Sequence, residues 1–272
     1  MNRLFVAYKP AGMVSNHFLS RLKRKYGVKK AGFSGTLDPF AKGVLIIGFG
    51  QYTKLFRFLD KTPKRYRATL WLGLKSLSLD TENVECVKQV APKTEAEVQN
   101  AVASLEGELT YIPPIFSAKS VDGRRAYDLA REGEKVELKK VTSTVYEAEF
   151  LHYCHPFVTF EVSVSEGTYV RSLGEMVAHK LGYTGSLSAL ERLSEGKFVY
   201  EGEKALDIKQ CLKIPQNFYN GSKEDIRLGK KLDISNFSIQ NDGDYFVDSG
   251  EFISIFTIKD KKVHYQLGRI AC

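Results

Sequence analysis

The sequence predicts an α+β protein built on a mixed, largely antiparallel sheet, with a small all-β appendage at its C-terminal end. Alternating or continuous apolar stretches recur along the whole chain, with only a few helical patterns between them. Those helices do not alternate regularly with strands, as a parallel βαβ fold would require. Beyond residue 225 only strand alternation is found.

Taken in order, residues 4–8 form a short apolar strand closed by the turn Lys9-Pro10-Ala11-Gly12. A helix follows with Ser15 as its N-cap, Phe18, Leu19, Leu22 and Tyr26 at helical spacing, and Gly27 as its stop. The small-residue segment 31–39 leads into an apolar run over 44–49, and residues 65–74 suit a strand. Thr94 caps a helix over 94–106 with the apolar stripe Val98, Val102 and Leu105. Pro113-Pro114 stiffen a loop over 111–119, a short helix covers 126–132, and 142–164 alternates as two or three strands. Residues 176–181 are helical and Gly182 ends them. The segment 212–225, with Pro215 and Asn220-Gly221, reads as a linker, dividing the chain into units 1–212 and 226–272. Strands over 245–247, 252–258 and 263–267 complete the second unit.

Of the 272 residues, 43% are apolar and 26% charged, which is ordinary globular composition. No apolar run approaches the ~20 residues of a membrane span, and the N-terminus lacks the ~7–15-residue apolar stretch of a signal peptide. The four cysteines are far apart with no C-x-x-C pair, against a disulfide framework or a zinc knuckle. A soluble, reduced, cytoplasmic protein is expected. The net charge of +8 is unevenly spread: residues 1–75 hold 16 Lys/Arg and only two acids, Asp38 and Asp60. Such a field, interleaved with aromatic residues, suits a nucleic-acid partner, although a solvated lysine-rich helix face produces the same count.

Most catalytic constellations are missing. There is no P-loop, no GxGxxG followed by an acid, and no HExxH. His152 and His155 fall in an alternating apolar stretch and read as strand residues. Asp38 remains, a lone acid in basic surroundings behind Gly32 and Gly35, followed by Pro39. Such a carboxylate suits covalent catalysis; Asp before Pro is also an ordinary turn pair.

At this point the residues match a family. The stretch GFSGTLDPFAKGVLIIGFGQYTK resembles motif II of the TruB family of tRNA pseudouridine synthases, close to GHxGxLDPxAxGVLxxxxGxxTK. In the family's order, YKPAGMVS resembles its N-terminal motif, KRYRATLWLG its tyrosine-bearing strand, and IPPIFSAKSVDGRRAYDLAREG its PPxxSAxKxxGxxxYxxARxG segment. SEGTYVRSLGEMVAHKLG followed by LSALERLSEGKF resembles the GTYIRxL…LxRxxxGxF block, so the likeness runs over residues 4–200.

The resemblance implies a catalytic domain of pseudouridine synthase type that isomerises uridine 55 in the T loop of tRNA, using no metal and no cofactor. It places Asp38 on the catalytic aspartate, Tyr66 on the tyrosine that stacks on the target base, and Arg171 on the arginine that pairs with the carboxylate. Tyr169 and Leu190 fall on residues lining the uracil pocket. Phe33 stands where the family usually has the histidine that fills the gap left by the flipped base. The basic residues expected on the RNA face are Lys23, Arg24, Lys64 and Arg65. The C-terminal unit occupies the place of the family's PUA domain, in a short form whose charges balance, and a monomer bound to the T loop and T stem is expected. Attack at C1′ or at C6 stays open. So do an RNA-folding module in which flipping alone matters, and the same chemistry on another RNA uridine.

Overall fold

Strand β1 (Arg3–Lys9) pairs antiparallel with β3 (Lys42–Phe49), Phe5 opposite Ile47. Both strands are buried on both faces, which is why β3 reads as a continuous apolar run instead of an alternation. Phe5, Leu45, Ile47 and Phe49 pack under helix α1 (Ser15–Lys25) through Phe18 and Leu22. Leu4, Val6, Val44 and Ile46 face the other way. The short strand β2 (Ala31–Ser34) also pairs with β3. Ser15 is not the N-cap of α1. Val14 holds that place without a side-chain bond, and Ser15 is already helical, its hydroxyl turned to Leu37.

The computed structural model describes residues 1–117, 119–121, 123–134 and 137–272. Ala118 and Asp122 of the Pro-Pro motif lie outside the described residues. Strand β4 (Lys64–Leu72) continues through Gly73 into β5 (Leu74–Ser76), which pairs with β6 (Val84–Val87). Helix α2 (Glu95–Ala103) carries the expected Thr94 cap, completed by Glu97 as a capping box. After β7 (Gly107–Tyr111) come the two-residue strands β8 (Ser120–Val121) and β9 (Arg124–Arg125) and the short helix α3 (Ala126–Arg131). Residues 142–164 form two strands, β10 (Val141–Cys154) and β11 (Phe157–Val164). Helix α4 (Val170–Lys180) begins six residues before the expected start at 176. Its first turns contain Gly174, a poor helix former. A Cβ there would lie 2.5 Å from the Leu187 side chain, so helix-to-sheet contact requires what propensity discourages.

With β12 (Gly185–Glu195), the strands order as β1-β3-β12-β4-β11-β10-β7, with β2 on β3. Every pairing is antiparallel except β3–β12, so the sheet is mixed and largely antiparallel as predicted. Helices α2 and α4 cover one face through Val98, Val102, Leu173 and Val177 against Leu70, Phe160 and Leu187. The parallel contact places Gly43 beside Arg192, where φ is +117° and a Cβ would lie 2.3 Å from the Arg192 carbonyl. Only glycine lets these two strands approach so closely.

The C-terminal end is a three-stranded sheet of β13 (Gly243–Asp248), β14 (Phe252–Lys259) and β15 (Lys262–Ala271), preceded by helices α5 (Ile208–Cys211) and α6 (Lys223–Leu228). Phe246, Ile253, Ile255 and Ile270 share one buried cluster with Leu4, Val6, Val44 and Ile46. The segment 212–225, expected as a linker, is held in place. Leu212 bridges Leu59, Gln216 bridges Phe246, and Asn217 is fully buried. The Asn217 amide donates to the Ile239 carbonyl and accepts from the amides of Ile239 and Phe218. Its Pro, Asn and Gly serve packed turns, which composition cannot distinguish from a free connection. Among the described residues no helix is long and apolar enough to cross a membrane.

Asn217→Ala would leave three partly buried backbone groups without their side-chain partner and should cost ~1–3 kcal/mol, read as a lower urea midpoint at unchanged slope.

Candidate active site

The loop between β2 and β3 carries Asp38, and three neighbours hold it. The Ser15 hydroxyl donates to the Leu37 carbonyl at 2.9 Å and accepts from the Leu37 amide at 3.2 Å. The Gly12 amide donates to the Pro39 carbonyl at 2.8 Å. Lys9 is fully buried beneath, its Nζ donating to the carbonyls of Met13 at 2.6 Å, Pro10 at 2.9 Å and Pro39 at 3.4 Å. Burial pushes the Lys9 ammonium down to about 8; Asp38 opposes that shift and Arg192 adds to it. Leu37 itself sinks into the core, leaving the next side chain, Asp38, one-third exposed at the surface of a cavity.

Arg171, in the first turn of α4, meets Asp38 there. Its Nε lies 2.9 Å from Asp38 Oδ2, and only 4% of its side chain is exposed. The remaining donors are also used. Nη1 donates to the Ser78 carbonyl at 2.6 Å and approaches Asp80 Oδ2 at 3.5 Å, while Nη2 donates to the Phe116 carbonyl at 2.9 Å. Asp80 is a buried second carboxylate whose Oδ1 accepts from the Ser78 hydroxyl at 2.5 Å and from the Glu82 amide at 2.9 Å. Burial pushes the Asp80 carboxyl up. Sequence reasoning missed this residue. Its signal was the run Ser76-x-Ser78-x-Asp80, an alternation whose buried side is polar.

The cavity has a volume of about 300 Å³. Asp38, Tyr66, Tyr169, Arg171 and Leu190 all line it, although the sequence scatters them over 150 positions. Tyr66 is delivered by the alternation of β4, in which Lys64, Tyr66, Ala68 and Leu70 turn inward. That alternation corrects one expectation. Lys64 and Arg65 are adjacent strand residues, so they cannot both face one RNA surface. Lys64 is buried at the cavity wall, 3.4 Å from Glu195, whereas Arg65 emerges on the opposite face and bonds Glu161 at 2.8 Å. Arg192 joins Lys64 from β12. Its Nη2 lies 2.9 Å from Glu195 and donates to the Gly35 carbonyl at 3.2 Å, and its Nε donates to the Val44 carbonyl at 2.8 Å. The Asp38 loop is thus clamped from below by Arg192. Burial pushes the Glu195 carboxyl up, against the pull of Arg192 and Lys64.

Phe33 does not line the cavity. It sits on β2 opposite Ile47 and packs, partly exposed, against the cluster under α1. Lys23 and Arg24 lie at the far end of α1, about 12–14 Å along the axis from Ser15, and make no ion pair among the described residues. No group of three or more metal-binding side chains occurs among the described residues.

Comparison with known proteins gives a consistent result. A family model described as TruB family pseudouridylate synthase, N-terminal domain, matches residues 23–170. The chain is similar to the tRNA pseudouridine synthase B of Sulfurimonas denitrificans, 63% identical over the whole of both chains. It is 47% identical to the protein of that name from Campylobacter jejuni, over 99% of each. Among solved structures, a Cbf5–Nop10–Gar1 complex matches 99% of this chain and 84% of its counterpart with a TM-score of 0.68 at 18% identity, a likeness of fold.

Glu195→Ala would leave Arg192 and Lys64 buried without their counter-charge and should cost ~3–5 kcal/mol by chemical denaturation. Glu195→Gln, which keeps the shape and one acceptor, should cost less.

Proposed function

The chain belongs to the TruB family of pseudouridylate synthases, and we propose that it isomerises uridine 55 in the T loop of tRNA to pseudouridine. The observation that carries the reading is the Asp38–Arg171 contact at the wall of a cavity that Tyr66, Tyr169 and Leu190 also line. The reaction breaks the N1–C1′ bond and joins C5 to C1′, with the C5 proton lost to solvent and N1 gaining one. It is an isomerisation, so no co-reactant is needed.

Those atoms are hidden in a stacked T loop, so the nucleotide must turn out into the cavity. Asp38 then supplies the attacking carboxylate. Arg171 fixes that carboxylate through a charge-assisted bond, and its other bonds to Ser78 and Phe116 keep the guanidinium from following it. Tyr66 offers the flipped ring a stacking face, and Tyr169 and Leu190 close the pocket around it. Phe33, partly exposed on β2, fills the place left in the loop by stacking alone, since it lacks the ring nitrogens of histidine. Lys23 and Arg24 extend the contact along the RNA backbone, and residues 226–272 act as a reduced PUA-like unit toward the acceptor arm. The setting is the cytoplasm.

Asp38→Asn, nearly isosteric and not nucleophilic, should abolish tritium release from tRNA carrying 5-tritiated uridine while tRNA binding on filters stays within about threefold, because affinity rests mainly on phosphate contacts. Turnover within tenfold of the parent protein would remove Asp38 from catalysis.

Charge reversal of both Lys23 and Arg24 should flatten the log–log dependence of tRNA affinity on salt by roughly 0.7–0.9 for each phosphate that the helix no longer neutralises. An unchanged slope would leave α1 as a solvated surface.

A further inference from the structure

Ser117 is 4% exposed, belongs to the wall of the Asp38 cavity, and its hydroxyl has no hydrogen-bond partner among the described residues. Its position is not loose. The Ser117 carbonyl accepts from the Tyr127 amide at 3.1 Å, and the preceding carbonyl, of Phe116, accepts from Arg171 Nη2 at 2.9 Å. The guanidinium that holds Asp38 therefore also sets where this hydroxyl lies. Several other polar groups of the wall are engaged within the protein. Ser165 Oγ accepts from the Thr144 amide at 2.9 Å, Thr168 donates to the Ser165 carbonyl at 2.9 Å, and Lys64 and Arg192 pair with Glu195. A buried hydroxyl left unpaired costs stability, and such groups persist where a ligand completes them.

We infer that the Ser117 hydroxyl is a specificity-determining contact for the substrate, donating a hydrogen bond to a carbonyl oxygen of the flipped uracil. The inference rests on the proposed reaction and names a further group in it. Its chemistry suits a base that must turn. Uracil presents acceptor, donor and acceptor at O2, N3–H and O4. Rotation about the N3···C6 axis, which brings C5 to where N1 was, exchanges O2 with O4 and preserves that order. A donor set against one carbonyl oxygen therefore finds the other after the turn. A serine hydroxyl rotates freely about its C–O bond, so one side chain serves substrate and product without rebuilding the pocket.

The test pairs Ser117→Ala with three substrates: tRNA carrying uridine, 2-thiouridine or 4-thiouridine at the target position. Single-turnover rates and the melting temperature of the free protein are measured together. Expected is a roughly three- to tenfold slower rate on the uridine tRNA. The melting temperature should be unchanged or higher, since an unpaired hydroxyl is removed and every bond within the protein is kept. One of the two thio substrates should erase the difference between variant and parent, because sulfur is the weaker acceptor. A variant within twofold of the parent on the uridine tRNA would overturn the inference, as would an equal penalty on all three substrates. A fall in melting temperature would overturn it also, by showing that the hydroxyl serves the fold. Failure of the parent protein to form pseudouridine would instead overturn the proposed function.

Discussion

The guanidinium of Arg171 is withdrawn from water almost completely, and a buried cation is tolerable only where its charge and its donors are answered inside the protein. Asp38, the Ser78 carbonyl and the Phe116 carbonyl take its bonds, and Asp80 adds a second negative charge. They come from three separate parts of the chain, Ser78 and Asp80 sharing one turn. The demand of one side chain thus ties together the β2–β3 loop, the turn after β5, the segment after β7 and the start of α4. The Asp38 carboxylate is positioned by an interaction that the fold needs anyway.

A second set of charges works from the other side of the same loop. Arg192 reaches Gly35 and Val44 because β12 runs parallel to β3 for two residue pairs, at the one place where a glycine permits it. Glu195 is the counter-ion for Arg192 and Lys64 in that enclosed space. The result is a site whose cations are divided by task. Those facing the cavity are neutralised by protein carboxylates, whereas Lys23 and Arg24 on α1 make no ion pair among the described residues. That division suits a polyanion drawn to the surface and a single nucleotide handled within.

The C-terminal sheet is part of the same logic. One of its faces completes the cluster that β1 and β3 begin, so β3, which the Asp38 loop leads into, is buried from both sides. The all-β end was legible from its alternation, but not its intimate packing onto the N-terminal strands.

From the sequence by itself came the α+β class, the mixed sheet, the Thr94 cap and the five motifs that single out Asp38, Tyr66, Tyr169, Arg171 and Leu190. These depend on local periodicity and on residue types held in order, which a linear chain displays directly. Tertiary structure alone decided the rest. Strand direction turned Lys64 inward and Arg65 outward. Contact with Leu187 allowed a glycine within α4, and turns packed on the core made the apparent linker part of the folded body. Asp80 and Ser117 gain meaning only because their segments converge on Arg171. Burial and long-range contact set those roles, and neither is a property of neighbouring residues in the chain.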